Sequence, residues 1–479
     1  MNKMDTILNE SKLKAGAAQI DITPRIGTQL DGDLGYKRPA EVVFEPLYAK
    51  ALVLESGNEK VCIISLDLTA ITKEWGDKIR LRTEQRYGIL KENVMVHALQ
   101  NHAATSLGHI MVTETNNLLP EGDDWAWAKG GDDNYILFAV EKILDVIGEA
   151  IGKLQAVNIG ICRGIDGRFA FNRRYVMRDG TSQMLPDRCN EEILHIEGPS
   201  DPEVGVALIT NDNLENIAVL LHHTCHPVHG NAMNYITSGW PGAWSECMRD
   251  RLGSNCVPIV LNGCCGNVFH DNRLDPTYIP YDYKGMGKGL AEASIKALKK
   301  LKYISNPALL IKNKHLEIPI REISEEELEK ARQILKDHPM PKLEETPKWD
   351  DIKWDKNEKR NSITWDWFYA MSTIDLYNHF GRNAKFDYEI QAFKIGDLAI
   401  VALGGEPFVE GQLKIKLESP APYTFLAHMC NYYVGYIPTK EAFNRGGYET
   451  CTGIASKLHE DALDMIADAS IVLLQDLFR

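Results

Sequence analysis

No run of 18 uninterrupted apolar residues occurs in this chain of 479 residues, so a membrane-spanning helix is not expected. The opening stretch "MNKMDTILNESKLKAG" has no apolar core of the length a secretion signal needs. Cysteine is sparse: the ten present are too few for a disulfide scaffold, and no C-x-x-C spacing occurs among them. Together these absences point to a cytoplasmic protein with free thiols. The adjacent Cys264 and Cys265 read as small core residues. Positive charge is also in deficit, with 53 Lys and Arg against 67 Asp and Glu and a net charge of −14. That balance argues against a nucleic-acid partner, because phosphate binding needs a basic face. No Gly-x-Ser-x-Gly elbow, low-complexity segment or internal repeat is visible.

What remains has ordinary globular composition, 44% hydrophobic and 25% charged, in a chain longer than one core usually supports. Apolar strand patterns alternate with amphipathic helix patterns, which predicts an α/β fold of mixed sheets flanked by helices. Strands are expected at 48–56 and 60–68, joined as a hairpin, and at 94–101. A helix is expected at 73–87, and 112–134 reads as a long loop. Near residue 302 the character changes, which suggests a tail at 1–13, an α/β lobe at 14–300 and a second at 301–479. In the second lobe, Ser324 and Glu327 form a capping-box pattern for a charged helix running to about Asp337. Residues 339–367 are polar and hold four of the nine tryptophans, Trp349, Trp354, Trp365 and Trp367, as a surface excursion would.

The chemistry-bearing residues gather just after apolar strands, where α/β proteins place their sites. Eight of the 14 histidines fall in "HALQNHAATSLGH" (97–109), "LLHHTCHPVHG" (220–230) and "LNGCCGNVFHDN" (261–272). Three such clusters favour a metal or acid–base site over histidines that only fill loops. A fourth stretch, "LAIVALGGEPF" (398–408), places Glu406 after two glycines that allow a tight inward turn. A fifth, "NYYVGYIPTKEAFNRGGYE" (431–449), is dense in tyrosine and glycine.

These stretches, with "DITPRIG", "FEPLYAKALVLE", "IISLDL" and "FNRRYVMRDG" (171–180), resemble the neutral/alkaline (non-lysosomal) ceramidase family in its N-terminal catalytic domain. The similarity runs in order over about residues 14–470. The resemblance implies a composite ceramidase-like α/β domain and one zinc ion held by two histidines, a glutamate and a tyrosine. His226, Glu406 and Tyr436 take three of those positions, and Arg173 and Tyr448 take the substrate-contacting arginine and tyrosine. The family's first metal stretch is His-x-His. Here Gln100 stands first and His102 second, so His102 is the expected fourth ligand and Gln100 joins the catalytic candidates. His97 and His109 are assigned to the surroundings or the surface.

Two further departures bear on activity. Phe269 occupies the position of the ceramidase serine nucleophile, which leaves zinc-activated water as the attacking group and His270 as a candidate general acid or base. The additional C-terminal domain and the secretion signal of ceramidases have no counterpart, which argues against a membrane lipid as substrate. The leading expectation is a zinc-dependent hydrolase of a soluble amide or ester. The tryptophans at 125–127 and 349–367 keep open a carbohydrate-degrading enzyme on the same scaffold, with a sugar as the small-molecule substrate. A non-catalytic binding protein is the third reading.

Overall fold

A computed structural model describes residues 12–231, 233–304, 307–348 and 355–479. One six-element unit recurs three times along the chain. The first copy is β1 (Lys14–Asp21), β2 (Tyr48–Ser56), β3 (Glu59–Leu66), α1 (Lys73–Tyr87), β4 (Val94–Ala98) and α2 (Asp133–Gly152). The second is β5 (Gln155–Ile165), β6 (Glu203–Asn211), β7 (Asn216–His223), α3 (Gly239–Leu252), β8 (Val257–Asn262) and α4 (Tyr283–Leu298). The third is β9 (Leu309–Pro319), β10 (Lys385–Ile395), β11 (Leu398–Leu403), α5 (Val409–Glu418), β12 (Tyr423–Ala427) and α6 (Ala462–Phe478). In each copy the first three strands are antiparallel neighbours, and the fourth lies parallel beside the third. A parallel neighbour requires a crossover, which α1, α3 and α5 supply. The expectation of no internal repeat is therefore corrected. The recurrence lies in topology, while the connection after each first strand differs in length: 22–47, 166–202 and 320–384.

The first two copies join through β1 and β5, which share only two residue pairs, Lys14 with Ala156 and Ala15 with Gln155. With Lys302–Ile304 they make a nine-stranded sheet. Laid flat, β3 and β8 would stand six strand spacings apart, about 29 Å. Instead Ser65 Oγ in β3 donates to the Val260 carbonyl in β8 at 2.9 Å. The sheet thus folds back on itself, and the third copy's four strands close the remaining side. Leu52 and Ile63, Ile159 and Ile259, and Ile400 and Phe425 share one central cluster, one pair from each copy. The outer faces are covered by α1 and α2, by α3 and α4, and by α5 and α6. Strands buried on both faces read as continuous apolar runs, as "VPIVLN" does.

The parallel strands β4, β8 and β12 meet at the centre. His97 in β4 donates through Nδ1 to the His428 carbonyl just past β12, at 2.6 Å, and Nε2 accepts from Asn262 N in β8 at 3.0 Å. Burial lowers the His97 pKa to about 4, so the neutral ring performs both roles. One imidazole thus ties the three copies together.

The capping box at Ser324 and Glu327 forms, and it opens the helix Glu325–Asp337. Leu343–Lys348 pairs with Asp355–Ile363 as a hairpin. Trp349 and Trp354 lie outside the described residues. Among the described residues no helix is long and apolar enough to cross a membrane.

Candidate functional site at the meeting point of three repeats

The turns after the third strand of each copy converge. Three residues past β3, β7 and β11 stand Thr69, His226 and Glu406. Thr69 and Glu406 line a cavity of about 440 Å³, and His226 lies directly behind Glu406. The backbone explains the aim of Glu406. Gly405 turns at φ 68°, and a Cβ there would meet Val434 at 2.4 Å and the Gly435 carbonyl at 2.6 Å. That close approach lets Glu406–Pro407 pair in parallel with Tyr436–Ile437, so Glu406 and Tyr436 are register partners.

His226 Nδ1 sits 2.5 Å from the Cys265 carbonyl, which makes Nδ1 the protonated nitrogen. Nε2 then carries a lone pair, and it faces Glu406 Oε2 at 3.4 Å. Both atoms are buried and without a hydrogen-bond partner. Burial pushes the Glu406 carboxyl up, against the pull of a Gln100 hydrogen bond and of the Arg173 and His102 charges. Burial, then the Arg173 charge, hold His226 well below the usual imidazole range.

Arg173 comes from the long second-copy connection. Its Nε donates to Glu449 at 3.2 Å and its terminal nitrogen to the Gly266 carbonyl at 2.6 Å. The guanidinium lies 5.5 Å from the Tyr436 ring and 5.4 Å from the Tyr448 ring. Those two phenol oxygens are 3.0 Å apart. His102 pairs its Nδ1 with Asn231 Oδ1 at 3.0 Å, and its ring centroid is 5.6 Å from that of His226. Gln100 lines the cavity from a left-handed backbone, φ 64°, which a non-glycine residue rarely adopts and which marks stored strain at a site. β4 ends at Ala98, so this turn rather than strand alternation brings Gln100 and His102 to the same cavity.

His270, the candidate general acid or base, does not border the cavity: the chain bends there and its ring stacks on Phe269 at 4.4 Å and on His229 at 3.9 Å. Phe269 lines the cavity and His270 sits one ring behind it. His109 is half-buried with Nδ1 against the Gly130 carbonyl, and His97 is the central tie.

No protein-family model and no curated protein sequence matches the chain. Solved structures do match. Neutral ceramidase from Pseudomonas aeruginosa superposes with a TM-score of 0.69 at 16% identity, over 98% of this chain and 74% of that one. A ceramidase complexed with C2 gives the same score at 15% identity, over 98% and 75%. The fold is ceramidase-like.

A zinc ion, which the sequence resemblance implies, would have to fit between His226 and Glu406. Two lone pairs facing each other at 3.4 Å repel unless a cation or a proton lies between them. A shared proton would draw them to about 2.9 Å. Two ligands about 2.1 Å from a tetrahedral cation stand about 3.4 Å apart. His226 and Glu406 therefore fit. Among the described residues, however, no three His, Cys, Asp or Glu side chains form a metal-holding group. A cation there would need Tyr436, with Gln100 or His102, to complete its ligands.

Tyr433, Asp33 and Tyr36 also border the cavity and escaped the sequence reading; Trp365, one of the tryptophans that kept a sugar substrate open, borders it as well. Tyr433 stands inside the tyrosine-dense stretch, and Asp33 in the turn-rich "DGDLGY". Asp31, two residues earlier, is fully buried and accepts from Gly131 N at 3.1 Å. Burial raises its pKa from 3.8 to about 6. A neutral Asp31 thus favours the folded state below pH 4, and that advantage is lost as pH rises through 6. Asp31→Asn should gain on wild type by about 1–1.5 kcal/mol between pH 5 and pH 8 in urea unfolding. A pH-independent difference would show that Asp31 is ionised throughout.

Proposed function

We propose that this chain is a hydrolase that cleaves an amide or ester bond of a small soluble molecule with water as nucleophile. The facing pair His226 Nε2 and Glu406 Oε2, beside a cavity bordered by Arg173, Tyr436 and Tyr448, is the observation that carries this reading. A divalent cation such as zinc, held by His226, Glu406 and Tyr436, would supply Lewis acidity and an acidified water there.

The chain's own groups divide the remaining work. The Arg173 charge is fixed by Glu449 and Gly266, so it meets a developing oxyanion without reorganising. Burial keeps the Tyr448 phenol protonated, as a hydrogen-bond donor to that oxygen. The Asn231 bond fixes His102 with its proton on Nδ1, leaving Nε2 as a proton acceptor. Gln100 steadies the Glu406 carboxylate.

Among the described residues lining the cavity none is serine or cysteine, and Phe269 puts a phenyl ring where ceramidases carry the serine. Thr69 Oγ1 is occupied with the Asn101 and Ala104 carbonyls at 2.7 and 3.1 Å. Activity is therefore expected without a covalent intermediate. Quenched turnover of p-nitrophenyl esters and p-nitroanilides should show unmodified protein by intact-mass spectrometry. An acyl adduct on any residue would overturn the water mechanism.

A further inference from the structure

We propose that the mouth of this cavity is a sugar subsite, with the indole of Trp365 stacking on a pyranose ring and Asp33 and Asn231 taking its hydroxyls. The inference rests on the hydrolase reading only for what happens to the bound molecule. It names the substrate class as an acylated or esterified sugar.

The tryptophans of the chain have separate fates. Trp240, Trp244 and Trp367 are fully buried core. Trp365 borders the cavity with 43% of its surface exposed. It opens the helix Trp365–Phe380, and its ring lies against Tyr369 at 5.5 Å and 24°. One face of the indole is thus backed by a second ring, so the platform is set before any ligand arrives. A large aromatic held half-exposed at a cavity wall offers a flat, electron-rich face, to which the C–H groups of a sugar ring carry the complementary polarity.

The wall beside this platform is polar and stiff. Ile363 N donates to the Gly35 carbonyl at 2.7 Å and Lys37 N to the Asn361 carbonyl at 3.1 Å, which stitches the 30–40 loop to the approach of Trp365. Gln29 holds the Leu30 and Tyr36 carbonyls at 2.9 and 2.8 Å. Asp33 is braced at 3.1 Å by Arg38, a fully buried arginine whose terminal nitrogens donate to the Asp31, His102 and Gly230 carbonyls. At its other end the loop touches the reacting groups: a Cβ on Gly32 would lie 2.6 Å from the His102 ring. Trp365, Tyr36, Asp33, His102 and Asn231 therefore border the same cavity as Glu406, with Leu34 beside Asp33 in the loop. A fixed carboxylate and a side-chain amide beside an aromatic platform suit vicinal hydroxyls. An alkyl chain on this wall would strip water from the Asp33 charge, which is unfavourable.

Calorimetric titration of the whole 479-residue chain with N-acetylglucosamine, methyl glucoside, N-butyrylglycine and choline tests this without requiring turnover. The two sugars should bind. Trp365→Ala should weaken them by about tenfold or more, and Trp365→Phe should restore part of the loss. Circular dichroism on both variants confirms the fold, and Trp365 is at the surface of its helix, so both should fold. No heat with either sugar, or binding that Trp365→Ala leaves unchanged, would overturn the subsite. So would choline binding with the same Trp365 dependence, since the platform would then serve a cation, and so would preference for N-butyrylglycine. Sugar binding without cleavage of any acylated sugar would sink the hydrolase reading and leave the subsite standing. Cleavage of simple amides without sugar binding would do the reverse.

Discussion

Glu406→Gln protein should lose turnover by about a thousandfold or more and yet unfold later than wild type in the presence of chelator. The two effects have one origin. Glu406 is 3% exposed, and its Oε2 faces the His226 lone pair with no hydrogen bond. Removing the charge relieves that opposition, and an amide N–H can donate to Nε2, a gain of about 1–3 kcal/mol. Turnover falls because a neutral amide neither holds a divalent cation nor draws a proton from water, and several kcal/mol of barrier lowering go with it. Added zinc should raise the melting temperature of wild type and leave that of Glu406→Gln unmoved. If the variant kept a tenth of wild-type turnover, or if chelated wild type were the more stable protein, the role given to this carboxylate would have to be abandoned.

Glu449→Ala should destabilise the fold by about 3–5 kcal/mol, the scale for stripping one partner from a buried ion pair. Glu449 is fully buried, with one oxygen 3.2 Å from Arg173 Nε and the other 2.7 Å from Arg174. Its loss leaves two guanidinium groups without their shared counter-charge, although Glu197 and the Gly446 carbonyl still hold Arg174. Arg173 keeps its Gly266 bond and its contacts with Tyr436 and Tyr448 but loses its counter-charge, so the charge presented to the oxyanion loosens. Turnover should drop by about a hundredfold even where the variant is fully folded. Urea unfolding read beside initial rates separates the two effects. A change below about 1 kcal/mol would mean that water already shares this pair.

The strand-end motifs carried the site legibly, because buried strands leave an apolar run and a turn leaves glycine. His226 and Glu406 could both be read that way, and the structure places them within one contact. Their equivalence could not be read. Thr69, His226 and Glu406 occupy the same place in three copies of one topology, but they share no chemistry and the intervening connections differ in length. His270 misled for a local reason: a bend just after Phe269 folds its ring onto a neighbour instead of into the cavity. The tryptophan-rich stretch mixed two signals, since Trp367 fills a core while Trp365, two residues earlier, borders open space.

The three unequal connections following β1, β5 and β9 have a consequence for how this scaffold diversifies. They supply Asp33, Arg173 and Trp365, whereas the short turns past β7 and β11 supply His226 and Glu406. Changes of length in the former should alter the cavity wall while leaving the central tie at His97 and the His226–Glu406 pair in place. Grafting the 30–40 and 361–365 segments together, since they are hydrogen-bonded to each other, is thus the natural unit of exchange for redirecting such a protein toward a different molecule.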